Sequence, residues 1–416
     1  MNVAILNSVA LNAGDAAILA GLRASLKDAF GPDLQLHVAD DAPGAASGLY
    51  PDIPFAPGLH GKGLEAKRVL RGARRSLHRR RVRLCERLLA RAPAFGRTLL
   101  DRTGRIHLQR LHDSVASIST GGTYFVEHYS FERRALEVLA AQATGVPTFL
   151  YTQSLGPFTR AGNRRLMARV LSGCAAVFLR DERSLQHARE LGVDDDRLHV
   201  HPDAAFVLAS PASGAIGDAN RPLRIAVSVR EWAHFRSQTR AEGLTRYARA
   251  IAGAVRSLVR KRKAQVTFLS TCQGVQDYWT DDSRTAGAIV DEMLSDVPGI
   301  RVDRAFRSPT QLRDAYGEFD LVIATRMHAA ILSLCAGTPV VPVAYEFKTR
   351  ELFDGLGMGE LVDDIDALSA ESLTERVNTA LDEADTLRGR IRRILPGLRQ
   401  RAAEPAHRIR RIVSAS

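Results

Sequence analysis

Cysteine is scarce in this chain, with Cys85, Cys174, Cys272 and Cys335 the only four among 416 residues, and none lies in a C-x-x-C pair or beside a metal-type histidine spacing. That scarcity excludes a disulfide-stapled scaffold and a structural zinc site, and it points to a reducing compartment. No G-x-G-x-x-G occurs, so no dinucleotide site is indicated. Long uninterrupted apolar runs are missing too. The two longest uncharged stretches, 138–159 and 327–345, are broken by Gly145-Val146-Pro147, Gly156-Pro157, Gly337-Thr338-Pro339 and Pro342. Each therefore reads as a buried helix, a turn and a buried strand, not as a membrane span. The apolar start, Met1 to Asn7, has no basic leader region and no small-residue cleavage site, and reads as a first strand. What is present is ordinary: 45% apolar and 25% charged residues, in a length that suits two domains of roughly 150 to 200 residues each.

Charge is unevenly placed. Between Lys62 and Arg110 sixteen basic residues stand against three acidic ones, an excess that covers the whole formal net charge of +12. Leu64, Val69, Leu70, Leu77, Leu84, Leu88 and Leu89 recur among the arginines at helical spacing, so the segment reads as a basic amphipathic helix. A solvated helix face, an anionic membrane surface and a polyanionic substrate all fit it. Nucleic acid is not expected, because no nucleic-acid-binding motif accompanies the charge. A second basic cluster, Arg388 to Arg411, reads as a C-terminal helical tail interrupted at Pro396 and Pro405.

Short apolar runs alternate with helical patterns throughout, which is the signature of a parallel α/β architecture. Strands are expected at 3–6, 34–39, 114–119, 148–152, 176–179 and 199–201, then at 224–229, 265–270, 320–324 and 340–344. The expected layout is a Rossmann-like domain over 1–208 that includes the basic segment 62–110, a small, polar, Gly/Pro-rich linker over 209–222, a second Rossmann-like domain over 223–384, and the basic tail 385–416. An internal echo supports two similarly built halves: Gly145-Val146-Pro147 and Gly337-Thr338-Pro339 each end a helix and lead into a buried strand. Two such domains are expected to face a common cleft.

Candidate site residues gather at predicted strand ends. Asn12-Ala13-Gly14-Asp15 follows the first strand and opens a helix, where backbone N–H groups can hold an anion, although Asp15 in that place can equally be a cap. Gly121-Gly122 and Gln153-Ser154-Leu155-Gly156 follow two further strands. Arg180, Arg230 and Arg326 each end a predicted buried strand, where a guanidinium can take a carboxylate or phosphate with two hydrogen bonds or can serve a local salt bridge. Arg326-Met327-His328 places a cation and an imidazole at the start of an apolar helix, and Tyr345-Glu346-Phe347-Lys348 ends the next strand; Glu346 and Lys348 can also pair with each other.

In order, the Asn12-x-Gly14-Asp15 loop, Gly121-Gly122, Gln153-x-x-Gly156-Pro157-Phe158, Arg180-Asp181-Glu182-x-Ser184, Asp203-x-x-Phe206, Arg326-x-His328 and Gly337-x-Pro339 through Tyr345-x-x-Lys348 resemble the polysaccharide pyruvyl transferase family. The resemblance implies a fold like that of two-domain (GT-B) glycosyltransferases and transfer of pyruvate from phosphoenolpyruvate to a sugar of a cell-surface polysaccharide or its lipid-linked precursor, forming a ketal. It implies no cofactor and no metal. Arg326, with Arg180 or Arg230, would clamp the donor anion, His328 would be the general acid, and Asp15 or Glu346 would be the base. Asn12, Gly14, Gly121, Gly122, Gln153, Tyr345 and Lys348 would line the substrate site. The expected location is cytoplasmic, with peripheral contact at the inner membrane face through 62–110. The competing readings are a glycosyltransferase of the same architecture using a nucleotide sugar, and a non-catalytic glycan- or membrane-binding protein on the same scaffold.

Overall fold

The computed structural model describes residues 1–59, 84, 100–127, 130–210, 221–236 and 238–415. Most of the basic segment and of the expected linker lie outside the described residues. The chain divides into two units, one formed by Met1–Leu11, Ile18–Ala204 and Arg401–Ser416, the other by Asn12–Ala17 and Ala205–Gln400.

In the first unit an eight-stranded parallel sheet runs in the order β3-β2-β1-β4-β6-β7-β8, with β5 paired to β6. The strands are β1 (Asn2–Ser8), β2 (Gln35–Asp40), β3 (Phe55–Pro57), β4 (Ala116–Ser119), β5 (Gly122–Phe125), β6 (Thr148–Leu155), β7 (Ala176–Leu179) and β8 (Leu198–Val200). All eight residues of β6 are buried, as expected of a central strand covered on both faces. Its apolar side chains Leu150 and Leu155 join Leu136, Leu139, Met167, Val170 and Val177 in one core. Glu137 is buried 2.8 Å from His107 Nε2 and accepts the backbone N–H of Leu59, so it ties helix Arg102–His112 and the end of the segment following β3 to helix Glu132–Gln142.

In the second unit a six-stranded sheet runs β11-β10-β9-β12-β13-β14, again all parallel. Its strands are β9 (Arg224–Ser228), β10 (Gln265–Phe268), β11 (Ile300–Val302), β12 (Leu321–Ala324), β13 (Val340–Ala344) and β14 (Asp363–Asp364). In both sheets the order reverses beside the first strand, between β1 and β4 and between β9 and β12. A crevice at the carboxyl ends of the strands is the rule at such a reversal. Helix Met327–Cys335, between β12 and β13, is buried at nearly every position, as its mostly apolar sequence requires.

The ten expected strands are present with ends moved by a few residues; β3, β5, β11 and β14 were not expected. These four have two to four residues each, too few for an alternation to show. The internal echo has a physical basis: Gly145 and Gly337 both take left-handed backbone, at φ 81° and 82°, and donate to Gln142 and Leu334 respectively, ending their helices in the same way.

The expected break of the tail at its prolines is wrong. Ala384–Ala415 is one continuous helix of 32 residues. A proline removes one hydrogen bond and crowds the preceding turn, but here the buried stripe of Leu387, Ile391, Leu395, Ala402, Ala406 and Ile409 holds the helix across both positions. Pro396 is exposed, so its ring contributes little packing in return. Pro396→Ala should therefore raise stability, by about 1 to 3 kcal/mol in a urea melt.

Candidate active site

The strand ends of the second unit converge on Arg326. Its Nε and Nη2 donate to the two carboxylate oxygens of Asp282 at 2.9 and 2.6 Å, a bidentate pair with Asp282 wholly buried. Asp282 also accepts from Ser270 Oγ at 2.8 Å and from the backbone N–H of Cys272 at 3.3 Å. Ser270 Oγ in turn lies 2.8 Å from Ser228 Oγ at the end of β9. Burial works against the charged guanidinium, yet the Asp282 carboxylate outweighs it and holds Arg326 well above its ordinary pKa. The third nitrogen, Nη1, makes no hydrogen bond among the described residues.

Asn12–Ala17 belongs to this same unit. The Asn12 side chain accepts from the backbone N–H of Gly14 at 2.9 Å and of Asp15 at 3.4 Å, so Asn12, not Asp15, caps helix Ala13–Phe30. It also donates to Tyr278 Oη at 3.1 Å and lies 3.6 Å from Cys272 Sγ. Gly14 is required by contact: a Cβ there would fall 2.6 Å from His328 Nδ1. Asp15 faces the same space, since its negative charge helps raise the pKa of both Cys272 and Tyr278, after the larger effect of burial.

Arg230, at the end of β9, is held differently. Its guanidinium lies over the Tyr345 ring at 4.2 Å and the Trp232 ring at 5.0 Å, with those two rings 4.5 Å apart. It faces no carboxylate among the described residues, and its Nε reaches only the carbonyl of Glu231 at 3.3 Å. Glu346 and Lys348 form a salt bridge of 2.5 Å, and the ammonium stands 5.9 Å from the Tyr345 ring.

The remaining predicted residues lie in the first unit and serve a different geometry. Arg180 donates from Nε to Ser154 at 2.7 Å, from Nη1 to Asp203 at 2.5 Å and from Nη2 to Thr123 at 2.6 Å. The Ser154 hydroxyl donates a hydrogen bond to Asp181 at 2.6 Å, and Asp181 caps the next helix by accepting from Ser184 N–H. All three nitrogens of the Arg180 fork are thus engaged by the protein itself. Gln153 is buried and donates to the Thr120 carbonyl. A Cβ on Gly121 would lie 2.6 Å from Thr152 Oγ1, and one on Gly122 2.7 Å from the Tyr124 ring, so packing alone accounts for both glycines.

Asp282, Ser270, Cys272, Tyr278 and Trp232 were not found from sequence. A usable signal existed: Ser270-Thr271-Cys272-Gln273-Gly274 is a polar, glycine-bearing segment after a strand, the same pattern that marked the other loops. Among the described residues no group of three or more His, Cys, Asp or Glu is placed to hold a metal ion, and no helix is long and apolar enough to cross a membrane.

Two outcomes follow. Asp282→Ala strands a buried cation and should cost about 3 to 5 kcal/mol in chemical denaturation, whereas the double change Asp282→Leu with Arg326→Met should recover most of that loss. Burial pushes the Cys272 thiol up to about 11, which leaves roughly one thiolate in a thousand at pH 8. Native protein should accordingly show no alkylation of the Cys272 peptide by iodoacetamide at that pH, with full alkylation after unfolding.

Comparison with known proteins agrees with this architecture. The UDP-GlcNAc 2-epimerase of Neisseria meningitidis, solved bound to UDP-GlcNAc, superposes with a TM-score of 0.58 at 9% identity, covering 98% of this chain and 99% of that one. Anabaena Alr3699/HepE in complex with UDP-glucose gives 0.56 at 13% identity, with both chains covered in full. These likenesses establish a fold of two parallel-sheet α/β domains of the GT-B kind. In sequence, the chain is 28% identical over 304 residues to the amylovoran biosynthesis protein AmsJ of Erwinia amylovora, covering 69% of this chain and 71% of that protein. Residues 12–346, from the Asn12 cap to the Glu346 ion pair, match the polysaccharide pyruvyl transferase family, and to that family this chain belongs.

Proposed function

We propose that this protein transfers the pyruvyl group of phosphoenolpyruvate to a sugar of an exopolysaccharide or its precursor, closing a pyruvate ketal. The observation that carries the reading is the distribution of charge at the second unit's strand ends. Arg326 is matched by Asp282 and Lys348 by Glu346, while Arg230 lies on ring faces and reaches one backbone carbonyl, with no carboxylate paired to it among the described residues, so its charge is left for a ligand. Phosphoenolpyruvate brings a carboxylate and a phosphate, roughly two to three negative charges near neutrality. Arg230 and the Nη1 edge of Arg326 would take them.

In this scheme His328 donates a proton to the methylene carbon of the enol, since an imidazole is the side chain that carries a proton near neutral pH. Positive character then develops at the adjacent carbon, where a sugar hydroxyl attacks and gives its proton to a carboxylate. Asp15, next to Gly14 where a Cβ would abut the His328 ring, takes that role, with Glu346 as the alternative. Phosphate leaves with the bonding electrons of its C–O bond. A second hydroxyl of the same sugar closes the ketal and releases the remaining proton. The close approach of the His328 ring to Gly14, one residue before Asp15, supports this pairing of roles.

Thermal unfolding with and without phosphoenolpyruvate, beside UDP-, GDP- and CMP-sugars, tests the reading. Phosphoenolpyruvate at about 100 times its dissociation constant should add roughly 2.7 kcal/mol of stability to the wild type. Arg230→Ala and Arg326→Ala should lose that gain, and His328→Ala should keep it while losing turnover. A gain with a nucleotide sugar instead would replace the donor.

A further inference from the structure

The segment 269–281 joins β10 to helix Asp282–Met293, and within it the loop 273–281 is closed at its neck. Asp282 N–H donates to the Cys272 carbonyl at 2.6 Å, and Cys272 N–H donates back to the Asp282 carboxylate at 3.3 Å. Gln273 accepts from Ser270 N–H at 2.8 Å and donates to the Ala305 carbonyl at 3.1 Å. Gly274, at φ 72°, lies so near the Phe306 backbone that a Cβ would meet its nitrogen at 2.3 Å. The base of the loop is therefore pinned by the same Asp282 that holds Arg326.

Its tip is built otherwise. Trp279 is 82% exposed, far more than any other large apolar side chain among the described residues. Burying such a ring on folding is favourable, and this one is left in water. Its ring rests at 5.5 Å from that of Tyr278, whose hydroxyl is bound by Asn12. Gln276 and Asp277, also exposed, make no hydrogen bond or ion pair among the described residues. An unburied indole with a neighbouring amide and carboxylate is the chemistry that recognises a sugar ring: the C–H face lies on the aromatic surface, and vicinal hydroxyls bridge to the planar polar groups.

We propose that Trp279, with Gln276 and Asp277, forms a saccharide-binding platform beside the Arg326 site, taking a neutral pyranose unit of the acceptor glycan. The assignment to an acceptor rests on the pyruvyl-transfer reading; sugar binding itself does not. The loop's fixed neck sets the distance between the platform and the reacting groups.

The test uses the full chain on a printed array of hexopyranosyl oligosaccharides, followed by tryptophan-emission titration with the best-bound array sugar. Wild type should bind at least one hexopyranoside, with Trp279 becoming shielded from acrylamide quenching. Trp279→Ala should weaken binding at least tenfold, Trp279→Phe should keep most of it, and neither should alter the thermal shift given by phosphoenolpyruvate. Because the side chain lies at an exposed tip, both variants should fold with wild-type melting curves. No array binding by wild type, or equal binding by Trp279→Ala, overturns the platform. Trp279-dependent sugar binding without any phosphoenolpyruvate shift would leave the platform standing and remove the donor assignment instead.

Discussion

A guanidinium sunk at the end of a parallel sheet needs a counter-charge, and Asp282 supplies it. The pair does more than neutralise Arg326. Four donors converge on that single carboxylate: two nitrogens of the arginine, a serine hydroxyl and a backbone amide. Through them β9, β10, β12 and the start of helix Asp282–Met293 are tied to one point. Removing solvent from such a cluster makes each of its hydrogen bonds stronger and each missing partner more costly, so its members stand or fall together. The cation is thereby fixed in direction, with one edge spent on the protein and one nitrogen left over.

The first unit uses an arginine to the opposite end. Arg180 closes a lattice through Thr123, Ser154 and Asp203, linking β5, β6 and the residues after β8. Its motif neighbours Gly121 and Gly122 are packed so that a Cβ would clash, and Gln153 is buried with its amide on the Thr120 carbonyl. Motif arginines of one chain can therefore be held in two ways: Arg180 has all three nitrogens engaged by the protein, whereas Arg326 spends two on one carboxylate.

Much of this was legible in the sequence. Buried strands announce themselves by apolar runs between Gly and Pro, and the arginines ending those runs do sit at the carboxyl ends of the sheets. Their roles were not readable, because the discriminating fact is which carboxylate lies opposite. Asp282 is forty-four positions from Arg326 and Asp203 twenty-three from Arg180, separations that no local spacing encodes. The same limit applies to the helix start, where the sequence offers Asp15 as a cap and the structure gives that place to Asn12. The tail misled for a different reason: proline is a local veto, and the apolar stripe that overrides it runs the length of the helix.

That last helix has a consequence for how the protein comes together. Its residues from Arg401 onward belong to the first unit, where Ala402, Ala406 and Ile409 are buried, the Arg401 carbonyl meets His201 at 3.1 Å, and Arg410 lies over Phe30 at 5.2 Å. Neither unit is thus a continuous stretch of chain. A fragment ending between Ala204 and Arg401 would leave the amino-terminal unit without the apolar cover that the far end of the sequence supplies, so its core is sealed only by the segment made last.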